Sequence, residues 1–258
     1  MKTVVTTAYR PTTLTLEWAA RVSADLGILQ VERNKRSIDR MHADEEAHLL
    51  VCLKERLEFY PLGKSEPFFF HPNSAAFRTK RPIEQDPLIE ISGLEAGDSF
   101  LDCTLGLASD AIVVSQCVGE TGQVYGCESH PVLANVVGQG LQQYKSRPHL
   151  KEAMQRIQVD SSDAVSFLQK MESDSIDVIY MDPMFTEEIR EASNFTPLRG
   201  PADQGQLTEQ WVAEAKRVAR KKIVLKAHFR SLDFERFGFI RLVRPNTKFH
   251  FGVISSCT

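Results

Sequence analysis

Between residues 99 and 225, five short apolar runs alternate with four stretches of helical length, and this alternation fixes the class of fold. The runs occupy residues 100–101, 124–125, 157–159, 176–180 and 223–225; the stretches between them occupy 110–118, 131–144, 163–171 and 207–219. Strand alternating with helix builds a parallel sheet joined by right-handed crossovers, an α/β architecture. After the fifth run the rhythm changes. Residues 239–243, a turn at Pro245-Asn246 and residues 248–254 predict a hairpin that adds an antiparallel strand. No internal repeat or low-complexity tract interrupts the pattern.

Residues 1–92 show no such alternation and read as a smaller α+β appendage, with the main domain spanning 93–258. A helix is expected over 14–26, with Thr13 as its N-terminal cap and Gly27 as its stop. A basic turn follows at Arg33-Asn34-Lys35-Arg36, and the acidic segment 44–52 reads as helix or loop. Phe68-Phe69-Phe70 and Phe77-Arg78-Thr79-Lys80-Arg81 interleave aromatic rings with cations, as single-strand nucleic-acid binders do. An edge strand with rings facing the core explains the stretch equally well. Pro82 and Pro87 mark a linker.

Composition narrows the function classes. The chain is 42% hydrophobic and 25% charged, an ordinary globular balance, with no apolar stretch long enough for a membrane span. Its start lacks the apolar core of a signal peptide, so a cytoplasmic protein is expected. The five cysteines form no Cys-x-x-Cys pair, which predicts reduced thiols and no zinc site. His42 and His48 stand six apart and would face different sides of a helix, so no metal centre is expected there.

Charge is unevenly placed. Residues 1–92 carry 13 basic and 13 acidic side chains, residues 93–210 carry 7 and 18, and residues 211–258 carry 11 and 3. An acidic centre suits a cofactor that is not a polyphosphate, and a basic C-terminal stretch could meet a nucleic-acid backbone. A solvated helix face over 216–222 accounts for part of that stretch.

Candidate site residues fall at the ends of the apolar runs, where open α/β sheets bind ligands. The first turn reads Asp102-Cys103-Thr104-Leu105-Gly106-Leu107-Ala108-Ser109-Asp110, with Gly106 able to bring backbone close to a ligand. The three-glycine dinucleotide fingerprint is absent. Glu128 ends the second run, followed by Ser129, and a carboxylate there can accept both hydroxyls of a ribose. Asp160-Ser161-Ser162-Asp163 ends the third run and offers one group to an adenine amine and another as a helix cap. The fourth run ends in Asp182-Pro183-Met184-Phe185. An acid, a rigid proline and a ring at that position suit transfer of a group to a nucleobase amine, and a Pro-containing turn is the plain alternative.

Together these pieces resemble a class I S-adenosylmethionine-dependent methyltransferase, with a Rossmann-like seven-stranded sheet. The sequence Leu101-Asp102-x-Thr104-x-Gly106-Leu107-x-x-Asp110, with Asp182-Pro183-Met184-Phe185, resembles the RsmJ family of guanine-N2 methyltransferases that act on small-subunit ribosomal RNA. The resemblance covers residues 99–254. It implies S-adenosyl-L-methionine as cofactor, contacted by Asp102, Thr104, Gly106, Ser109, Asp110, Glu128, Ser129, Ser162, Asp163 and Asp182. Ser109 and Ser129 stand where the family carries arginine. It also implies a catalytic Asp182 supported by Pro183 and Phe185, RNA or the small ribosomal subunit as partner, and no metal. Arg78, Lys80, Arg81 and Lys226 are the candidate RNA contacts. A monomer is expected. Methylation of a DNA base, transfer RNA or protein amide shares the amine chemistry, and a catalytically silent RNA-binding module would share the fold.

Overall fold

The chain begins with a strand that its sequence conceals. In the computed structural model, which describes residues 2–183 and 206–256, β1 (Thr3–Thr7) leads into α1 (Thr13–Leu26), β2 (Leu29–Gln30), α2 (Ile38–Glu45), β3 (His48–Cys52) and β4 (Leu57–Tyr60). They form a four-stranded sheet in the order β2-β1-β3-β4, parallel except for β4. Residues 1–60 therefore do alternate strand with helix, against the sequence expectation. The reason is local: β1 spends three of its five positions on threonine yet turns Thr6 and Thr7 inward, and β2 is two exposed residues long. Neither leaves an apolar signature.

The segment expected to be helix or loop over 44–52 divides. Glu46 takes the left-handed backbone (φ 49°) that stops α2, and β3 starts two residues later. The cap of α1 is Thr12, one residue before the expected position, in a reciprocal pairing with Thr15, and Gly27 (φ 62°) ends that helix as expected. Phe68 and Phe70 face the core, and Phe68 pairs with Phe59 through two backbone hydrogen bonds of 2.8 Å. Phe77, on α3 (Asn73–Arg78), stays 64% exposed. After a 3-10 turn (Ile83–Gln85), α4 (Pro87–Ser92) packs on the main sheet, started by the Asp86 side chain and Pro87.

That sheet is built by β5 (Ser99–Asp102), α5 (Ser109–Val118), β6 (Gln123–Cys127), α6 (Pro131–Gln143), α7 (Pro148–Gln155) and β7 (Ile157–Asp160). The chain continues through α8 (Ala164–Lys170), β8 (Ile176–Met181), α9 (Glu209–Val218) and β9 (Ala219–His228). It ends in α10 (Asp233–Phe237), β10 (Ile240–Leu242) and β11 (Phe249–Ser255). The strand order is β10-β11-β9-β8-β5-β6-β7, with β11 antiparallel to both neighbours, so the expected Rossmann-like seven-stranded sheet and terminal hairpin are present. The order reverses between β5 and β8: successive strands run outward to β7, then return to the other side of β5. A crevice opens above the strand ends at such a reversal.

One hydrophobic cluster joins both sheets, from Trp18, Leu50 and Phe59 to Phe100, Ile112 and Val136. Fully burying a leucine, isoleucine, valine or phenylalanine side chain there is worth roughly 1.5–3 kcal/mol. The joint is close. A Cβ on Gly140 of α6 would lie 2.4 Å from Phe70, so only glycine seats the helix there. Among the described residues, no helix is long and apolar enough to cross a membrane.

Candidate active site

The strand ends on either side of the reversal carry buried carboxylates. Asp102 closes β5 at 2% exposure, and its Oδ1 accepts hydrogen bonds from the Thr104 backbone N–H (2.9 Å) and Oγ1 (3.3 Å). The Thr104 Oγ1 in turn accepts the backbone N–H of Asp182 at 2.9 Å. The first turn is thus bonded to the fourth strand's end. Gly106 and Ala108 both take left-handed backbone (φ 50° and 59°), and Ala108 gives α5 no side-chain cap, leaving the helix start open to a ligand. A Cβ on Gly126 of β6 would lie 2.3 Å from a Leu105 methyl, so glycine there lets the turn settle onto the sheet.

Asp182 sits in a compact ionic cluster. Its Oδ2 accepts from the Lys226 ammonium at 2.6 Å, and Lys226 lies 3.7 Å from Asp110. Asp110 also accepts the Tyr180 hydroxyl at 2.9 Å and the Arg78 guanidinium. Arg78 holds Asp86 through two bonds of 2.8 Å. Burial would raise Asp110, but Lys226 and Arg78 outweigh it and hold the carboxyl below its ordinary value. Burial raises Asp182, with Lys226 opposing and Asp110 reinforcing. Burial and the neighbouring Asp110 push Asp102 up to about 8. Burial works against the Lys226 charge, yet the two aspartates prevail and keep it protonated.

On the far side of β5, Glu128 is 2% exposed; its Oε1 accepts the His130 backbone N–H at 3.0 Å, and its own N–H reaches the Asp160 carbonyl. Asp160 accepts the Ser162 hydroxyl. The crevice is therefore lined by carboxylates from four strand ends, with its cations gathered beyond β8.

A sequence model described as "Putative SAM-dependent methyltransferase" matches residues 34–231. The chain belongs to the SAM-dependent methyltransferase family. The Bacillus subtilis (strain 168) protein YpiP, named as uncharacterized, is 42% identical over 256 residues, which cover 98% of this chain and 99% of that one. Ribosomal RNA small subunit methyltransferase J of Dechloromonas aromatica (strain RCB) is 32% identical over 148 residues, 52% of this chain and 56% of that protein. The crystal structure of a SAM-dependent methyltransferase from Neisseria gonorrhoeae shares the fold, with a TM-score of 0.66 at 16% identity, covering 98% of this chain and 96% of that one.

The methyltransferase's cofactor is S-adenosylmethionine, and the crevice fits it chemically. Its sulfonium and ammonium groups are cations, matched by Asp102, Asp110 and Asp182, while a polyphosphate would be repelled. Buried Glu128 stands where a carboxylate can receive ribose hydroxyls.

The structure gathers most of the expected cofactor residues at one rim: Asp102, Thr104, Gly106, Ser109, Asp110, Glu128, Ser162 and Asp182. Ser129 is exposed beside Glu128. Asp163 is an exposed helix cap that accepts the Ser166 N–H at 3.0 Å. Pro183 is buried behind Asp182, and Phe185 lies outside the described residues. Of the expected RNA contacts, Lys80 and Arg81 are exposed. Arg78 is taken up by Asp86 and Asp110, and Lys226 by Asp182, so both serve inside the protein in this structure. Two partners escaped the sequence reading: Tyr180 and Asp86. Tyr180 could have been found, because two-residue periodicity puts it on the same side of β8 as Asp182.

Proposed function

We propose that this methyltransferase transfers the S-adenosylmethionine methyl group to the exocyclic N2 amine of a guanine in small-subunit ribosomal RNA. The observation that carries the reading is the placement of Asp182, half-sunk at the end of β8 with Oδ2 held by Lys226 and Oδ1 bonded to no described residue. The kinship with methyltransferase J, across about half of each chain, supports the choice of RNA.

The cofactor supplies a methyl group activated on a sulfonium. The protein has to make a poor nucleophile competent, because the N2 lone pair is delocalised into the guanine ring. Asp182 Oδ1 accepts one N2 hydrogen and turns the lone pair toward the methyl, while Lys226 and Thr104 fix the carboxylate and its backbone. Such positioning is worth roughly 7–11 kcal/mol in well-aligned systems. Methyl transfer would leave the cofactor as a neutral thioether, and Asp182 or water would take the proton that N2 loses. The raised affinity of Asp182 for protons assists that step. Pro183 restricts the backbone beside the acid, and we assign Phe185 to stacking on the base. Residues 1–92 serve as the accessory, substrate-recognising region.

Asp182→Ala tests the assignment. Turnover should fall below detection while the dissociation constant for S-adenosylmethionine stays within a few-fold of wild type. Normal turnover in the variant would refute it.

A further inference from the structure

A cavity of about 280 Å³ lies between the α3–α4 segment and the β9–β11 pair, and adjoins the cofactor crevice at Asp110. Its walls come from both parts of the chain. Phe77, Arg81 and Pro87 belong to the α3–α4 segment; Lys226, Arg244 and Phe251 belong to β9, β11 and the turn before β11. Its position follows from strand order: Phe251 pairs with Lys226 across β11 and β9, and Leu225 pairs with Met181 across β9 and β8. Asp110 lines the cavity, and Lys226, which lines it too, bonds Asp182, so these two residues join it to the acidic crevice over β5–β6–β7.

The cavity's charge is opposite to the crevice's. Its lining has four cations, Arg78, Arg81, Lys226 and Arg244, against two carboxylates, Asp86 and Asp110. Arg78 occupies both carboxylates, and Lys226 holds Asp182. Arg81 and Arg244 remain, from opposite walls, and neither has a carboxylate partner among the described residues. The Arg244 guanidinium sits 5.5 Å from the Phe251 ring centre, and Phe77 leaves its ring 64% exposed at the rim. A folded chain that keeps a phenylalanine in water beside arginines with no described carboxylate partner has a surface suited to a planar, anionic ligand. At about 280 Å³ the space is just under the ~300–1,000 Å³ usual for small ligands, on the scale of one nucleotide and too small for a duplex.

We infer that this cavity receives a single unpaired nucleotide of the RNA acceptor, with Arg81 and Arg244 gripping its phosphates from opposite walls and Phe77 stacking on a base at the entrance. The inference rests on the acceptor's being RNA, as proposed above. It makes the α3–α4 segment half of the acceptor site, and it replaces Arg78 by Arg244 among the phosphate contacts. Arg78 instead holds the near wall in place through Asp86 and Asp110.

The test compares wild type with the double variant Arg81→Ala/Arg244→Ala and with Arg244→Lys. Binding of a single-stranded RNA dodecamer is followed by fluorescence anisotropy across a salt series, turnover on small ribosomal subunits by label transfer, and S-adenosylmethionine binding by calorimetry. In the double variant, RNA affinity should fall on the order of tenfold and the salt slope by about 1 per arginine removed. KM for subunits should rise in step, with kcat within about twofold and cofactor affinity unchanged; Arg244→Lys should recover part of the loss. Unchanged RNA affinity and salt slope in the double variant would overturn the inference while leaving the proposed reaction standing. Arginine-dependent RNA binding without any methyl transfer to subunits would uphold the cavity and sink the proposed reaction. Should the double variant lose cofactor binding as well, the exposed single change Arg81→Ala carries the same comparison.

Discussion

Replacing Lys226 by methionine keeps most of the aliphatic stem and removes the one cation among the described residues that touches both Asp182 and Asp110. The ammonium lies 2.6 Å from the first and 3.7 Å from the second, and the Lys226 and Asp182 side chains are only 25% and 29% exposed. A unit pair about 4 Å apart in an effective dielectric of ~20 is worth about 4 kcal/mol before desolvation. Severing a buried pair costs ~3–5 kcal/mol, and partial exposure puts this case at the lower end, about 3 kcal/mol at pH 8.5. The loss depends on pH, and its sign is fixed. Without Lys226 the Asp182 carboxyl rises further above its unfolded value, so the folded state is favoured at low pH and loses stability as pH climbs through the raised value. A larger share of the freed carboxyls is protonated at pH 5.5 than at pH 8.5, and the loss should shrink by roughly 1.4 kcal/mol for each unit of added shift that this protonation exploits. Urea unfolding of both proteins at the two pH values measures this directly. An equal loss at both, or a larger one at pH 5.5, would refute the electrostatic reasoning.

Three further perturbations probe the rest of the rim. With Asp102 pushed up to about 8, binding a cationic cofactor should expel a proton. Calorimetry should show affinity rising several-fold between about pH 6.5 and 8.5, and Asp102→Asn should flatten the rise. Arg78→Ala breaks the bonds to Asp86 and Asp110 and should destabilise the fold by about 3 kcal/mol in urea unfolding, with lysine restoring only part; a loss under about 1 kcal/mol would show that the bridge between α3 and α5 is dispensable. Gly126→Ala drives a Cβ into the Leu105 side chain and should cost ~1–3 kcal/mol and weaken cofactor binding. Unchanged cofactor affinity there would mean the turn yields freely.

The centre of the main sheet was legible because β5 and β8 are buried apolar runs and, like β6, lead into a carboxylate at the crevice, as in residues 176–182 and 100–102. The same feature exposed Asp102, Glu128 and Asp182 as candidates before any coordinates. The N-terminal sheet was hidden because β1 buries threonines and β2 contributes two exposed residues, so hydrophobic periodicity has nothing to report. α7 and α10 were missed because they are eight and five residues long, starting respectively at Pro148 and after a turn that offers no side-chain cap. The roles of Arg78 and Lys226 were illegible for another reason. A cation's partner is set by tertiary approach, here across 32 and 44 positions of sequence, and composition shows only that it is basic.

The central claim is a reaction on a particular atom, and one measurement addresses it. Small ribosomal subunits from a strain lacking this gene are incubated with isotope-labelled S-adenosylmethionine and either wild type or Asp182→Ala, and the RNA is digested to nucleosides. Label in N2-methylguanosine with wild type alone is the expected result. Label in a different nucleoside, or none in RNA from a protein that binds the cofactor, would contradict the claim.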